Sequence, residues 1–370
     1  MRCFIAIPRD NAHRDELMAA RRFSECEFYI IGRPDETLES LKRHAPRDCE
    51  IITEDGPLVD EQKQAKVKTP IDIDAWCKPH KTPRRDDIAV ITCFFNPAGF
   101  RSLRRNYDAF KAHLDACGVP CYTAELAYDD EPHTIPGAHH VNARSRMFHK
   151  ENLLNLALQI VPDKYSKIAW VDCDFIFNRS DWATLTSELL DDYPAVQCCQ
   201  NVTDLNQDGT EMRTRATTAH KGGDACNRPG GAWAIRREIL EAAGGLFDKC
   251  AVGSGDMVHT HAGFLGNFAH PFFWNYSTGI RAQAKQWARG VYGAVQGRIT
   301  ATPANAIHLF HGTFHNKQYQ SRDRLMPDID PDTWMTYNDD GVLEWTHHAD
   351  PEIVKGIESY FRGRNEDGIE

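Results

Sequence analysis

Hydrophobic and polar positions alternate along residues 1–85 in short blocks typical of a small α/β unit. The segments RCFIAIP, CEFYIIG and EIIT read as strands, and HRDELMAARRF and TLESLKRHA have the spacing of amphipathic helices. A polar stretch follows, from EDGPLVDEQKQAKVKTP to KPHKTPRRDD, in which Pro, Lys and Arg cluster without periodicity. We therefore predict an N-terminal unit and linker over residues 1–85, for which the pattern indicates no chemistry.

From Asp87 onward the pattern changes to longer buried strands that alternate with amphipathic helices. DIAVITCFFN, VPCYTAEL and KIAWVDCDFIF read as strands, and FRSLRRNYDAFKAHLDACG and RMFHKENLLNLALQIVP read as helices. This order predicts an α/β fold with a Rossmann-like, mixed but mainly parallel sheet and helices on both faces. Ligands of such sheets bind outside the carboxyl ends of the strands. We place this larger domain at 86–325 and a C-terminal extension that packs on it at 326–370.

Composition and charge narrow the class of protein. The chain has 370 residues and a formal net charge of −10, which argues against a large non-specific nucleic-acid surface. Its twelve cysteines form no CxxC pair, which favours free thiols over disulfides or a structural zinc site. The N-terminus lacks the pattern of a signal peptide, and no apolar run is long enough to span a membrane. We therefore expect a cytoplasmic protein.

Two carboxylates interrupt the most apolar predicted strand, IAWVDCDFIF. Asp172 and Asp174 are two positions apart, so on a continuous strand their side chains would point to the same side and could share one ion. Hard oxygen ligands suit Mg²⁺ or Mn²⁺, which in turn bind phosphate oxygens. The alternative is an acidic strand end or a helix cap.

The segment IHLFHGTFHNKQY contains the remaining candidate metal ligands. His308, His311 and His315 lie within eight residues of each other, and a mixed carboxylate and imidazole set favours Mn²⁺ over Mg²⁺. Lys317 and Arg322 follow, and these cations could neutralise a diphosphate. The alternatives are ordinary histidines in an edge strand and a solvated basic face.

Two glycine-rich segments supply further candidates. Gly230 and Gly231 allow close approach of backbone to a ligand, and Trp233 could stack on a sugar ring or belong to the core. In GSGDMVHTH, Asp256 follows a flexible loop, which suits a general base. The alternatives are a plain turn for the glycines and a helix N-cap for the aspartate.

In their order along the chain, the segments CFFN, KENLLN, WVDCDF, PGGAWAI, GSGD and HLFHG resemble nucleotide-sugar glycosyltransferases of the GT-A fold. The likeness is greatest to the galactosyltransferase group and to uncharacterised bacterial and phage glycosyltransferases. It covers roughly residues 87–367 and leaves residues 1–85 outside. It implies a GT-A-type sheet, a nucleotide-sugar donor and, for the cytoplasm expected above, that of a bacterium or a phage-infected host cell.

The resemblance implies a metal site and a base. Asp174 and His311 would bind Mn²⁺, His308 would be a further soft ligand, and Asp172 would reach the metal or the ribose. Asp256 would take the proton from the acceptor hydroxyl, although the galactosyltransferases usually carry adjacent carboxylates where this chain has one.

The resemblance and the local patterns together propose a donor site. The strand end from Thr92 to Asn96 would cradle the nucleotide, and Lys150 and Asn155 would reach its base or diphosphate. The full set of donor-binding candidates is Thr92, Phe95, Asn96, Lys150, Asn155, Asp172, Gly230, Gly231, Trp233, Gly312, His315, Lys317 and Arg322.

The expected function is the metal-dependent transfer of a hexose from a nucleotide-sugar, a UDP-sugar by expectation, to an acceptor hydroxyl with inversion. The acceptor would be a glycan or small molecule, or a hydroxymethylated pyrimidine in phage DNA contacted through the basic stretches KPHKTPRR and RSLRRNY. Two other classes stay open. One is a metal-dependent phosphotransferase or nuclease that uses the same D-x-D pair, and the other is a catalytically inactive binding protein.

Overall fold

The chain divides into two compact units, Met1–Lys68 and Thr69–Glu370. Residues 69–85, assigned above to the linker, and residues 326–370 both belong to the second unit. The computed structural model describes residues 2–6, 28–31, 50–53, 69–220, 228–313, 316–318 and 322–368.

The first unit contains a three-stranded parallel sheet. Its strands β1 (Arg2–Ala6), β2 (Phe28–Ile31) and β3 (Glu50–Thr53) confirm the three strands predicted there. Strand β1 lies between the other two and pairs in parallel with both. The two helices predicted for this unit, at 13–23 and 37–45, lie outside the described residues.

The second unit alternates strands and helices in the predicted order. Its strands are β4 (Ile88–Phe95), β5 (Cys121–Tyr128), β6 (His139–Ala143), β7 (Lys167–Val171), β8 (Phe175–Phe177), β9 (Ala195–Gln197), β10 (Asn201–Leu205), β11 (Glu211–Ala216), β12 (Ala232–Arg236), β13 (Ile299–Ala301), β14 (Asn305–His308), β15 (Met335–Tyr337) and β16 (Leu343–Trp345). Its α-helices are α1 (Ile73–Trp76), α2 (Arg101–Ala116), α3 (Lys150–Gln159), α4 (Trp182–Asp192), α5 (Arg237–Ala242), α6 (Gly255–Met257), α7 (Thr278–Val295), α8 (Pro331–Trp334) and α9 (Pro351–Gly363). A π-helix (Val258–Phe264) and two 3₁₀-helices (Pro271–Asn275 and Arg322–Leu325) complete the set.

A seven-stranded sheet organises this unit, in the order β13-β9-β12-β7-β4-β5-β6. All neighbours in it are parallel except β12, which runs antiparallel to both β7 and β9. The predicted α/β class with a mixed, mainly parallel sheet is therefore confirmed.

Side chains alternate between two cores on the opposite faces of this sheet, as the period of a strand requires. In β7, Ile168 and Trp170 pack into one core together with α3, whereas Ala169 and Val171 pack into the other together with Phe110 of α2. Both cores are covered by helices, which confirms the prediction of helices on both faces.

The strand predicted over KIAWVDCDFIF is wrong in one respect: the structure contains two strands there. β7 ends at Val171 and β8 begins at Phe175, and the two belong to different sheets. Asp172, Cys173 and Asp174 form the connection, in which the amide of Phe175 donates to the carbonyl of Asp172 at 3.2 Å. The two aspartates therefore lie in a turn at the carboxyl end of β7, and strand alternation does not place them on one side.

A second sheet, in the order β11-β10-β14-β8, stands next to this turn. In its register Phe175 lies opposite His308, His308 lies beside Asp204, and Asp204 lies opposite Arg213. The amide of Leu309 also donates to the carbonyl of Asp174 at 2.9 Å. This sheet therefore brings the segment of His308 against the turn that contains Asp174.

Residues 326–361 share a third core with α7. Ile280 and Ala284 of α7 pack there with Met326, Leu343 and Ile357, all of them buried. After α9, Asp367 accepts hydrogen bonds from the amides of Arg101 and Ser102 at the start of α2.

Candidate functional site

Most of the candidate residues meet at one cavity, which lies at the carboxyl ends of β4 and β7 and has a volume of about 550 Å³. Cavities of this size hold small molecules and cofactors. Aromatic rings form part of the wall, among them Phe95 and Phe148, whose rings meet edge to face at 5.5 Å. The predicted residues on the wall are Phe95, Lys150, Asp172, Asp174, Gly230, Gly231, Asp256, His308, His311, Lys317 and Arg322.

Three predicted donor contacts are not among the residues that line the cavity. Thr92 is fully buried, and its hydroxyl donates to the carbonyl of Val171 at 2.8 Å. The amide group of Asn96 binds the backbone of Phe100, and that of Asn155 binds the backbone of Leu246. Because these side chains bind neighbouring loops and strands, their role in this fold is structural. The structure does not support the donor contacts predicted for them.

Two further candidates, Trp233 and Gly312, are also not among the residues that line the cavity. Trp233 is 1% exposed, its indole ring packs 4.8 Å from that of Phe264, and its N–H donates to the carbonyl of Pro229. Its position in β12 directs the indole ring into the core. The predicted stacking of Trp233 on a sugar is therefore wrong. Gly312 has φ +88° and packs against the backbone of 364–366. His315 lies outside the described residues.

Asp174, His308 and His311 bring three ligand atoms together. One carboxylate oxygen of Asp174 lies 3.3 Å from Nε2 of His308 and 3.2 Å from Nε2 of His311, and the two Nε2 atoms are 3.1 Å apart. Adjacent ligands of one divalent ion have about this separation when the metal–ligand bonds are about 2.1 Å. The spacing therefore fits a single metal ion.

The hydrogen bond between Asp204 and His308 also fits a metal site. Asp204 lies 2.9 Å from Nδ1 of His308, and an ionised carboxylate only accepts hydrogen bonds, so Nδ1 donates and the neutral imidazole carries its lone pair on Nε2. With this tautomer, Nε2 of His308 and the carboxylate of Asp174 present lone pairs to one point, where a cation would stabilise them. Burial acts to raise the pKa of Asp174, but its basic neighbours, Lys317 among them, outweigh burial and hold that pKa well below its usual range.

Arginine side chains surround Asp204 and fix it in place. Arg213 lies 3.0 Å, Arg215 3.1 Å and Arg228 2.5 Å from its carboxylate. Burial acts to raise the pKa of Asp204, but His308 and Arg228 lead the neighbours that hold it far below the usual range. A carboxylate that orients a metal-binding imidazole in this way is typical of metal sites in proteins.

Replacing Asp204 by asparagine is therefore expected to lower the affinity for Mn²⁺ about 10–100-fold, because an amide no longer fixes the tautomer of His308. The affinity can be measured from the EPR signal of free Mn²⁺ during a titration. Asp208→Asn is the matched control, since Asp208 lies in the turn of the same hairpin and binds only Thr210 among the described contacts. Wild-type affinity in Asp204→Asn would exclude this role.

A buried carboxylate also lies close to the other imidazole. The carboxylate of Glu366 lies 3.7 Å from Nδ1 of His311 and pairs with Arg364. Burial acts to raise the pKa of Glu366, and Arg364 leads the groups that lower it below its usual value. Both candidate histidine ligands thus have a buried carboxylate on the side away from Asp174.

Lys150 connects the two other acidic residues of the wall. Its ammonium lies 2.7 Å from Asp172 and 3.2 and 3.3 Å from the two oxygens of Asp256. Burial acts to lower the pKa of Lys150, but these carboxylates raise it well above its usual value. Burial raises the pKa of Asp172, whereas for Asp256 the ammonium of Lys150 outweighs burial and the pKa is lowered. Asp256 is therefore an ionised carboxylate facing the cavity.

The loop before Asp256 has a strained backbone. Ser254 adopts φ +75°, unusual for a residue other than glycine, and receives a hydrogen bond of 2.6 Å on its hydroxyl from Arg322. Ser254 is also the N-cap residue of α6, so the alternative of Asp256 as an N-cap is wrong. A Cβ on Gly230 would overlap the carboxylate of Asp256, which shows how closely the glycine segment approaches it.

A second group of possible ligands lies behind Asp256. Atoms of Glu151, Asp256 and His259 lie within 4.8 Å of one another. Burial is the main cause that raises the pKa of Glu151 to about 8, and burial lowers the pKa of His259 to about 4. Since the carboxyl of Glu151 is mostly protonated at pH 7 and Lys150 already provides a cation at Asp256, this group is less suited to a metal ion than the Asp174 group.

A third group, Cys77, His113 and Cys117, bears on the expectation that the chain has no structural zinc. The two sulfur atoms are 4.0 Å apart. Nε2 of His113 accepts a hydrogen bond from the amide of Phe177 at 3.1 Å, and its two ring nitrogens are both 3.9 Å from the sulfur of Cys117. A neutral imidazole bound to a metal through Nδ1 would carry a proton on Nε2, facing the amide proton of Phe177. The imidazole of His113 is therefore oriented to accept the amide proton of Phe177 in β8, and not to bind a metal through Nδ1.

Several residues of the site escaped the sequence analysis, notably Asp204, Arg228, Glu151 and Glu366. The D-G turn of NQDGT and the alternating arginines of EMRTRA do predict a hairpin with Asp204 opposite a basic strand. No pattern in the sequence connects that hairpin with His308, which is 104 residues away. Glu366 likewise has no local signal.

None of the helices among the described residues combines the length and the apolar character needed to cross a bilayer. No protein-family model and no curated protein matches the chain. Among solved structures, it is similar to the catalytic domain of Drosophila β1,4-galactosyltransferase 7 in complex with xylobiose, with 15% identity and a TM-score of 0.33 over 72% of this chain and 97% of that chain. It is also similar to a mutant of that enzyme in complex with manganese, UDP-Gal and xylobiose, with 14% identity, a TM-score of 0.33 and the same coverage. Identities and TM-scores as low as these assign no function to the chain.

Proposed function

We propose that the chain is a metal-dependent glycosyltransferase of the GT-A type. It would transfer a hexose from a nucleotide-sugar, a UDP-sugar by preference, to an acceptor hydroxyl. The observation that carries this proposal is the presence, in one cavity, of the converging Asp174, His308 and His311 and of the ionised Asp256. A metal ligand set and a base facing one space are what transfer from a diphosphate to a hydroxyl requires.

Asp174, His308 and His311 would hold the ion, with Mn²⁺ favoured by the mixed ligand set. When bound, such an ion neutralises a diphosphate and stabilises the charge that grows as the diphosphate departs. Lys317 and Arg322 line the same cavity and would bind phosphate oxygens. Asp172, paired with Lys150, would face the ribose side of the donor instead of the ion.

Asp256 would accept the proton of the acceptor hydroxyl. Lys150 keeps its carboxylate ionised, and the approach of Gly230 limits where that carboxylate can move. A base on the face opposite the leaving group gives inversion, which we therefore propose for the product.

The acceptor is proposed to be a glycan or a small molecule. In the two stretches that could contact DNA, Arg85 pairs with Asp87 and Asp191, and Arg104 pairs with Asp108. These pairs reduce the positive charge available for phosphates, which favours the non-DNA acceptor over a hydroxymethylated pyrimidine.

Incubation with Mn²⁺ and a panel of sugar nucleotides tests the proposal. One sugar nucleotide is expected to raise the melting temperature and to be hydrolysed slowly in the presence of Mn²⁺, and Asp174→Ala should show neither effect. Cleavage of phosphate esters or DNA without any response to sugar nucleotides would instead support a phosphotransferase or nuclease. Donor binding without hydrolysis or transfer to any hydroxyl acceptor would support the inactive binding protein.

A further inference from the structure

The side chain of Lys317 makes a contact that a phosphate-binding lysine does not need. Its ammonium lies 2.9 Å from Nε2 of His311. That nitrogen is the atom of His311 that faces Asp174 at 3.2 Å and His308 at 3.1 Å. Lys317 is 5% exposed, so the contact is buried within the wall of the cavity.

An ammonium group has three donors and no acceptor. The contact therefore requires a lone pair on Nε2 of His311, and it occupies the lone pair with which His311 would bind a metal. The charge of Lys317 is balanced by the carboxylates around it, since Lys317 is among the neighbours that lower the pKa of both Asp174 and Glu366.

We propose that Lys317 is an internal cation that competes with the metal for His311. The ammonium stabilises the converging electron pairs of the ligand group and has to leave Nε2 when a divalent ion binds there. Two cations within about 4 Å of each other repel strongly at the effective dielectric constant of a protein site. Lys317 therefore weakens metal binding as long as no other anion is present to receive it.

The diphosphate of the donor is the anion that would receive the ammonium, so this inference rests on the proposed function. Lys317 and Arg322 both line the cavity into which the donor would bind. Once Lys317 pairs with a phosphate oxygen, it no longer opposes the metal. Nucleotide and metal should therefore strengthen the binding of each other by the same factor, as linkage requires.

The test measures Mn²⁺ affinity by EPR titration, first with Mn²⁺ alone and then with uridine diphosphate. For Lys317→Gln we expect Mn²⁺ alone to bind about tenfold more tightly than to the wild type, and the gain from uridine diphosphate to shrink. Lys317→Met serves as a second uncharged variant if the first fails to fold. Lys317→Arg keeps the charge, and Lys249→Gln removes a lysine that binds Asp248 and Tyr337 away from the cavity, so both should stay within about threefold of the wild type.

Unchanged or weaker Mn²⁺ binding by folded Lys317→Gln and Lys317→Met would overturn the inference and leave the proposed function intact. A wild-type protein that binds no Mn²⁺ even in the presence of uridine diphosphate would overturn both. Tighter binding by Lys249→Gln as well would show that the effect is general electrostatics and would also overturn it.

Discussion

Asp174→Ala will lower the affinity for Mn²⁺ by about a thousandfold or more, a larger loss than the 10–100-fold typical of residues around the ligands. Asp174 contributes the carboxylate that both imidazoles face, at 3.3 and 3.2 Å. Without it, two neutral nitrogens and the ammonium of Lys317 remain, and no negative charge among the three ligand positions is left to attract a divalent ion. Titration of Mn²⁺ monitored by EPR or calorimetry measures the effect.

Asp172→Asn is the matched control for this prediction. Asp172 is two residues from Asp174 and lines the same cavity, but its carboxylate binds Lys150 at 2.7 Å and lies outside the Asp174 group. We expect the Mn²⁺ affinity of this variant to stay within about threefold of the wild type. A carboxylate that does not contact the ion attracts it more weakly than a carboxylate that binds it directly. Equal losses in both variants would mean that the two aspartates share one ion, as on the continuous strand first predicted, and no loss in Asp174→Ala would place the metal elsewhere.

The different surroundings of these two aspartates could not be predicted from the sequence pattern, because they depend on which sheet each neighbouring strand joins. The apolar run before Asp172 and the run after Asp174 both read correctly as strands, and the sheet class followed from their alternation with helices. The break between them is set by pairing partners far along the chain, since β7 pairs with β4 and β12 while β8 pairs with β14. Local periodicity does not record which sheet a strand joins.

The site was predictable where residue type alone limits the chemistry. The aspartate pair, the acidic residue after a glycine loop and two of the three clustered histidines, His308 and His311, line one cavity. Trp233 was assigned on its chemistry as an aromatic ring, but it occupies a strand position whose side chain points to a sheet face and not to the sheet end. Asp204 was missed for the opposite reason, because a short strand places it beside His308 through register and not through proximity in sequence.

Lys150 links the two halves of the proposed reaction more closely than the sequence indicated. A lysine at the first position of α3 was expected to reach the nucleotide base or diphosphate. In the structure its ammonium joins Asp172 and Asp256, so the same cation orients a residue on the donor side and the candidate base. A donor bound beside Asp172 would therefore change the electrostatic environment of Asp256 through the side chain of Lys150.

Asp256→Asn will lower turnover about 10²–10⁴-fold while Mn²⁺ and donor binding stay close to those of the wild type. The amide has the shape of the carboxylate but cannot accept a proton from the acceptor hydroxyl, and this range corresponds to about 3–5 kcal/mol of transition-state stabilisation. Steady-state transfer kinetics with a saturating donor give the loss in kcat, and Mn²⁺ and donor titrations on the same variant verify that the cavity is intact.

Glu151→Gln is the matched control, and its outcome decides between a proton acceptor and a general need for negative charge. Glu151 is buried beside Asp256, and burial raises its pKa to about 8, so its carboxyl is mostly neutral at pH 7 and the amide replaces a group of the same charge. We expect turnover within about threefold of the wild type. Near wild-type turnover in Asp256→Asn would remove Asp256 as the base. If Glu151→Gln lost as much activity as Asp256→Asn, the proton would have to be accepted by the buried pair as a unit, since neither carboxyl alone would then be sufficient.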